Sequence, residues 1–189
     1  NMDFSLNSIT GTIPNTIYNM TSLTSFAAVE NCMENKIPTE LCSLTELQAL
    51  ALDGLKTAES CQILLISQRV RTYIQDTSSA EIPSCLFSMP NLNTLHLSGN
   101  NFIGNLHDIK IGDMLTDLSL SYNRLTGTIP NSIQHRKNWT YLDLSHNKFT
   151  GTLSEKFSIT SNKSTISLEV NRLSGNIPKS FSEMTLGSV

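Results

Sequence analysis

The chain has 189 residues, of which 39% are hydrophobic, 15% charged and 6% aromatic. That balance provides enough apolar side chains for a sizeable core and excludes an intrinsically disordered chain. A formal net charge of −3 without any Lys/Arg run excludes a polyanion binder, so nucleic acid is not expected as a partner.

From the N-terminus onward one phrase recurs. MDFSLNSITGTIP opens the chain, and LHLSGNNFIGNLH, LSLSYNRLTGTIP, LDLSHNKFTGTLS and LEVNRLSGNIP follow. Asn7, Asn31, Asn100, Asn123, Asn147 and Asn171 mark its register at intervals of 24, 69, 23, 24 and 24 residues. Pro14, Pro38, Pro83, Pro130 and Pro178 form a second ruler, with His107 and Ser154 standing at two further Pro positions. Self-similarity at such a period is the signature of a solenoid.

Each position has a physical reason. The Leu-x-Leu alternation is strand-like, so Leu118 and Leu120, or Leu142 and Leu144, point inward while Ser119 and Asp143 face solvent. Neighbouring turns pair these strands into a parallel sheet. The Asn amide donates and accepts at once, and is placed to satisfy the backbones of its own and the adjacent turn. Gly11, Gly104, Gly127, Gly151 and Gly175 permit a bend that a Cβ would obstruct. The prolines fix φ where the chain turns to the opposite side. Apolar residues three apart are expected to fill the core from there: Ile17, Met20 and Leu23, then Leu41, Leu44 and Leu47, then Leu86, Met89 and Leu92.

Between Asp53 and Glu81 the pattern decays. Leu55 takes an Asn slot, Gln62 a Pro slot and Asp76 the next Asn slot. The 21 residues from Gln62 to Pro83 predict one surviving but shortened turn. Ile63, Ile66, Val70 and Tyr73 follow helical spacing, with Arg69 and Arg71 among them. This irregular repeat, at about 53–82, is either a recognition island or simple drift. Further on, SITSNKST makes the convex side of the seventh repeat polar and unsuited to a helix.

These phrases resemble the plant-type leucine-rich repeat family, whose consensus runs LxxLxLxxNxLxGxIP. The resemblance covers nearly the whole chain in at least six units. It implies an α/β solenoid: a right-handed superhelix with a parallel β-sheet on the concave face and short helices or turns on the convex face. Residues 1–189 then form a single solenoid of about 7–8 repeats, and both ends falling within repeats mark an excised piece. The resemblance further implies extracellular recognition of a protein, peptide or glycan ligand, as a receptor-like or secreted protein whose parent could be membrane-anchored. A secreted inhibitor of a cell-wall hydrolase is one alternative. An ice-binding protein is another, although the concave column Ala51, His96, Ser119, Asp143, Ser167 is not a regular Thr ladder.

Cys32, Cys42, Cys61 and Cys85 lie in or beside the irregular stretch. On the repeat register Cys61 and Cys85 fall on adjacent turns, close enough for a bridge; Cys42 with Cys61 is a rival pairing, and four reduced thiols are the third option. Sequons at Asn19, Asn138 and Asn162 all map to the convex half of their repeats, where glycans would leave the concave face open.

No nucleophile, phosphate-loop, metal-ligand or dinucleotide motif occurs, so no enzymatic activity, metal or cofactor is expected. The candidate ligand-binding residues lie on the concave face: His96, Ser98, Ser119, Ser121, Tyr122, Tyr141, Asp143, Ser145, His146 and Glu169. Tyr122, Tyr141, Asp143 and His146 form the densest group of large polar side chains.

Overall fold

The computed structural model describes residues 1–55, 80–157 and 164–183. In chain order its strands are β1 (Met2–Asp3), β2 (Thr10–Gly11), β3 (Ser25–Ala27), β4 (Cys32–Met33), β5 (Ala49–Ala51) and β6 (Thr94–His96). They continue with β7 (Asp117–Ser119), β8 (Tyr141–Asp143), β9 (Thr150–Thr152), β10 (Thr165–Ser167) and β11 (Arg172–Ser174). One parallel sheet carries the order β1-β3-β5-β6-β7-β8-β10, one strand per turn of a solenoid.

The Leu-x-Leu alternation builds this sheet. Phe26, Leu50, Leu95, Leu118, Leu142 and Ile166 stand opposite one another from strand to strand, all on the core side. Phe26 to Leu142 in this column are buried, and Leu52, Leu97, Leu120 and Leu144 form a second buried column two residues on. No single turn could bury such a face, so cohesion is a sum over neighbours.

After each proline the chain crosses to the convex side. Pro14, Pro38, Pro83 and Pro130, with φ of −66°, −73°, −57° and −70°, precede short helices at Asn15–Asn19, Thr39–Ser43, Ser84–Ser88 and Asn131–Gln134. Pro178 precedes another at Lys179–Glu183. The apolar residues that follow close the core as expected from their spacing: Leu41, Leu44, Leu47, Leu86, Met89 and Leu92 are all buried. Met20 is the exception, 40% exposed, although Leu44 and Met89 hold the same C-cap position in their turns and are buried.

The asparagine ladder is built rung by rung. Asn123 Oδ1 accepts the N–H groups of Asn100 and Phe102 in the preceding turn. Its Nδ2 donates to Leu97 O there and to Leu120 O and Ser121 O in its own turn. Asn31, Asn147 and Asn171 repeat the pattern by accepting from Ile9, Leu125 and Phe149. Asn7 is exposed and bonds only Phe4 O and Ser5 O within its own turn.

Two expectations are corrected here. The stretch at about 53–82 was expected to keep a shortened turn, yet β5 pairs directly with β6, Ala49↔Thr94 through Ala51↔His96. β5 and β6 are thus neighbours in the sheet, with no strand of a further turn between them, and residues 56–79 lie outside the described ones. Second, Cys85 bonds Cys42, not Cys61, with the Cα atoms 6.1 Å apart. The reason is topological. With no extra turn between them, the helices bearing Cys42 and Cys85 are direct neighbours. Cys32 is disulfide-bonded as well.

A second set of pairings runs along the flank, through β2 with β4, β9 with β11, and single bridges at Glu81↔Ile103, Asn105↔Thr126 and Thr128↔Thr150. It explains the glycine column more sharply than a bend does. At Gly151 (φ +84°) an added Cβ would lie 2.8 Å from Thr128 Cγ2, and at Gly175 2.7 Å from Thr152 Cγ2. A side chain of the preceding turn therefore lies across each of these glycines.

Candidate functional site

Outward-facing strand positions build the concave surface, and its two halves differ. Ser25, Ala27, Ala49 and Ala51 leave β3 and β5 nearly bare. Across β6, β7 and β8 the same positions carry His96, Asp117, Tyr141 and Asp143, all half-buried. His96 Nε2 donates to Asp117 Oδ1 at 2.7 Å, while its Nδ1 faces Asp53 Oδ2 at 3.9 Å. The imidazole thus bridges three turns. Its ring centroid lies 6.1 Å from that of Tyr141, whose hydroxyl donates to Asp143 Oδ2 at 3.4 Å.

Backbone groups hold these carboxylates. Asp143 Oδ1 accepts Ser145 N–H at 3.0 Å, and Asp53 Oδ1 accepts Ser98 N–H. Burial pushes the Asp53 carboxyl above its ordinary value; the Ser98 N–H and His96 pull it part of the way back. Burial also raises the Tyr141 phenol, helped by Asp143, so Tyr141 stays a neutral donor. Both nitrogens of His96 face carboxylates, which leaves neither aimed at a hydroxyl as a general base. The arrangement suits recognition of donor groups rather than covalent chemistry.

Several predicted site residues take other places. Ser119, Ser121 and Ser145 are only 6%, 4% and 2% exposed. Small side chains sink between larger neighbours, and Ser98 Oγ lies 2.6 Å from Ser119 Oγ and accepts from Ser121 Oγ at 3.0 Å. They support the surface without offering it contact area. Glu169 is exposed at the last described turn of the face.

Tyr122 and His146 leave the strand face altogether. Each occupies the left-handed region, φ 52° and 50°, in the slot just before the ladder asparagine. Leu6, Glu30 and Val170 share that slot and conformation, as do Gly54 and Gly99. The turn swings these side chains to the rim, where the Tyr122 and His146 rings stack at 4.0 Å and 11°. The two glycines are the signal in the sequence that could have revealed this turn. Asp117 was missed as a site residue, although it stands register-opposite Tyr141.

Of the sequons, Asn19 and Asn138 are exposed on the convex side, and Asn162 lies outside the described residues. Among the described residues no helix is long and apolar enough to cross a membrane.

A parallel ladder of three-residue strands, asparagine rungs and proline-led convex helices defines a leucine-rich repeat solenoid. The leucine-rich repeat family model matches residues 90–149. Among solved structures, the Arabidopsis receptor kinase HAESA, in complex with the peptide hormone IDA and the co-receptor SERK1, matches with a TM-score of 0.74 and 26% identity. That match covers 98% of this chain and 28% of that one. The plant peptide hormone receptor RGFR1, in complex with RGF2, matches at 0.68 and 28% identity, over 91% of this chain and 24% of that one. A TDR receptor, at 0.71 and 23% identity over 98% of this chain and 29% of that one, shares the fold. No curated protein matches the chain. The chain spans about a quarter of the length of these solved structures. The chain has the leucine-rich repeat fold, and its repeats are similar to those of the plant-type class.

Proposed function

We propose that the chain is part of an extracellular recognition module that binds a peptide or protein through its concave face. The observation that carries this reading is the polar cluster Asp53–His96–Asp117–Tyr141–Asp143, fixed on β5 to β8 by hydrogen bonds and half open to solvent. A rigid sheet with preset donors and acceptors binds without first ordering itself. The similar receptors HAESA and RGFR1, solved with peptide hormones, support the same reading. So do the exposed convex sequons at Asn19 and Asn138, which leave the concave side clear. The role is non-catalytic, and attachment to a membrane belongs to the whole protein.

The test is a binding screen of the chain against an array of synthetic ten-residue peptides. Selected binders are expected to lose about thirtyfold in affinity on Tyr141→Ala or His96→Ala, the effect of removing a central anchor. They should be indifferent to Lys137→Ala on the convex side. Binders that respond to the convex change and ignore both concave ones would overturn the reading.

One observation favours a second reading. Thr126, Thr128, Thr150 and Thr152 are exposed along the flank, in the regular pattern that the concave face lacks. An ice-binding role would appear as thermal hysteresis abolished by Thr128→Val with Thr152→Val, and freezing-point curves matching those of a control protein would dismiss it.

A further inference from the structure

The rim of the last three turns carries six side chains whose chemistry neither the fold nor the concave cluster uses. Tyr122, His146 and Val170 precede the ladder asparagines, and Arg124, Lys148 and Arg172 follow them. Burial alternates through each turn. Tyr122 is 62% exposed, Asn123 7% and Leu125 1%, with Arg124 exposed between the last two, so the residues flanking the asparagine project outward together. Val170 is 61% exposed beside exposed Arg172, and His146 and Lys148 are half-buried. The turns are joined in sequence, Lys148 N–H to Leu125 O and Arg172 N–H to Phe149 O. An aromatic and apolar column therefore runs beside a cationic one.

Neither column is a requirement of the solenoid. Gly54 and Gly99 show that the slot before the asparagine accepts glycine, the residue its left-handed conformation favours. Tyr122, His146 and Val170 stand there despite the strain, Val170 with a β-branched side chain at φ 53°. In the earlier turns that carry the asparagine, the slot after it holds Ser8, Cys32 and Asn101, none of them basic, while Lys56 follows Leu55 at the same register. Arg124, Lys148 and Arg172 make no ion pair among the described residues. Of the nearby carboxylates, Asp143 is already bound by Ser145 N–H and Tyr141 OH, and Glu169 is exposed on the strand face.

We propose that this rim is a docking surface for an extended acidic peptide segment. Adjacent turns lie about 4.8 Å apart, so three turns span about 10 Å, the length of three to four extended residues. An extended segment sends alternate side chains to opposite sides. Acidic side chains on one edge meet the cationic column, while an aromatic or branched side chain on the other lies against the Tyr122–His146 stack and Val170. Charge complementarity selects the partner, and the apolar column favours a peptide over an acidic polysaccharide, which has no side chain to place on Val170. The inference rests on the peptide-recognition reading but assigns a separate surface.

The experiment measures anisotropy of two fluorescein-labelled ten-residue peptides with the intact chain. One alternates Asp or Glu with Phe or Val; the other carries Asn and Gln in place of the acids. The acidic peptide is expected to bind at least tenfold more tightly, with affinity falling as salt rises. A triple variant, Arg124→Gln with Lys148→Gln and Arg172→Gln, should erase that preference, and Tyr122→Ala should weaken the acidic peptide several-fold. Tyr141→Ala on the concave face should leave it unchanged. Equal affinity for the two peptides, or an acidic peptide insensitive to the triple variant, overturns the proposal. Sensitivity to Tyr141→Ala alone would overturn it too and leave only the concave reading standing. Oligogalacturonate binding more tightly than the peptide, with the same loss in the triple variant, would overturn the peptide assignment.

Discussion

The junction between the turns of β3 and β5 and the junction between those of β7 and β8 solve one problem in two ways. Between β7 and β8, Asn147 accepts Leu125 N–H and donates to Leu120 O across the junction, so a buried amide ties two backbones. Between β3 and β5 the equivalent slot holds Leu55, fully buried, with no amide to reach back to the preceding turn. There the Cys42–Cys85 disulfide joins the convex helices of the same two turns. A covalent link stands where the repeated hydrogen-bond rung is missing. Turn-to-turn cohesion is thus a local property, supplied by whatever each junction carries.

The comparison can be broken or sharpened in several ways. The largest effect is expected from Cys42→Ser with Cys85→Ser. Opening this cross-link, whose ends are 43 positions apart in sequence, should cost about 2–4 kcal/mol in chemical denaturation, and the β3–β5 junction should become the first to admit protease. Next comes Asn123→Ala, which strands the Asn100 and Phe102 N–H groups and takes a donor from three carbonyls. Thermal melts should show about 1–3 kcal/mol lost, whereas Asn7→Ala, which removes no bond between turns, should cost less than about 0.5 kcal/mol. Equal losses at the two positions would show that the rungs do not couple turns.

Gly151→Ala should cost about 1–2 kcal/mol, from its positive φ together with the collision at Thr128 Cγ2. Gly11, at φ +87° with open space around it, isolates the backbone part. Gly11→Ala should therefore cost less, and Thr128→Ser should return most of the difference to Gly151→Ala. A double-mutant cycle without coupling would refute the collision.

The smallest effect concerns Asp53. Burial raises its folded-state carboxyl above the ordinary 3.8. The folded chain then binds the proton more tightly than the unfolded chain. The associated stability is fully present below about pH 3.8 and lost as pH rises through the higher folded value. At neutral pH the ionised, partly desolvated carboxylate costs stability, so Asp53→Asn should raise the melting temperature at pH 7 by an amount equivalent to less than about 1 kcal/mol. The gain should disappear below pH 3.8. A gain that grows in acid would reverse the assigned sign.

Much of this architecture was legible in the sequence because strict repetition makes each turn vouch for the next. Asn123 and Asn147 could be assigned as rungs from spacing and amide chemistry alone, and Leu41, Leu44 and Leu47 as convex core from their period. The failures share a cause. An interval of 21 residues between Gln62 and Pro83 looks like a short turn in arithmetic, but arithmetic does not show whether a strand joins the sheet, and β5 pairs directly with β6. That misreading carried the disulfide with it. Tyr122 and His146 were placed on the strand face because a simple pleat was continued one residue too far, past the left-handed turn. Asp53 and Asp117 become partners only through His96, a relation across three strands that no local pattern contains.

Amide hydrogen exchange at Leu125 tests the rung account most directly, since its N–H is held by the Asn147 side chain of the next turn and by nothing in its own strand pairing. The account predicts core-like protection at Leu125 in the wild-type chain, lost in Asn147→Ala while the amides of Leu118 and Leu142 stay protected. Leu125 exchanging as fast as an exposed turn in the wild type, or staying protected in Asn147→Ala, would contradict it.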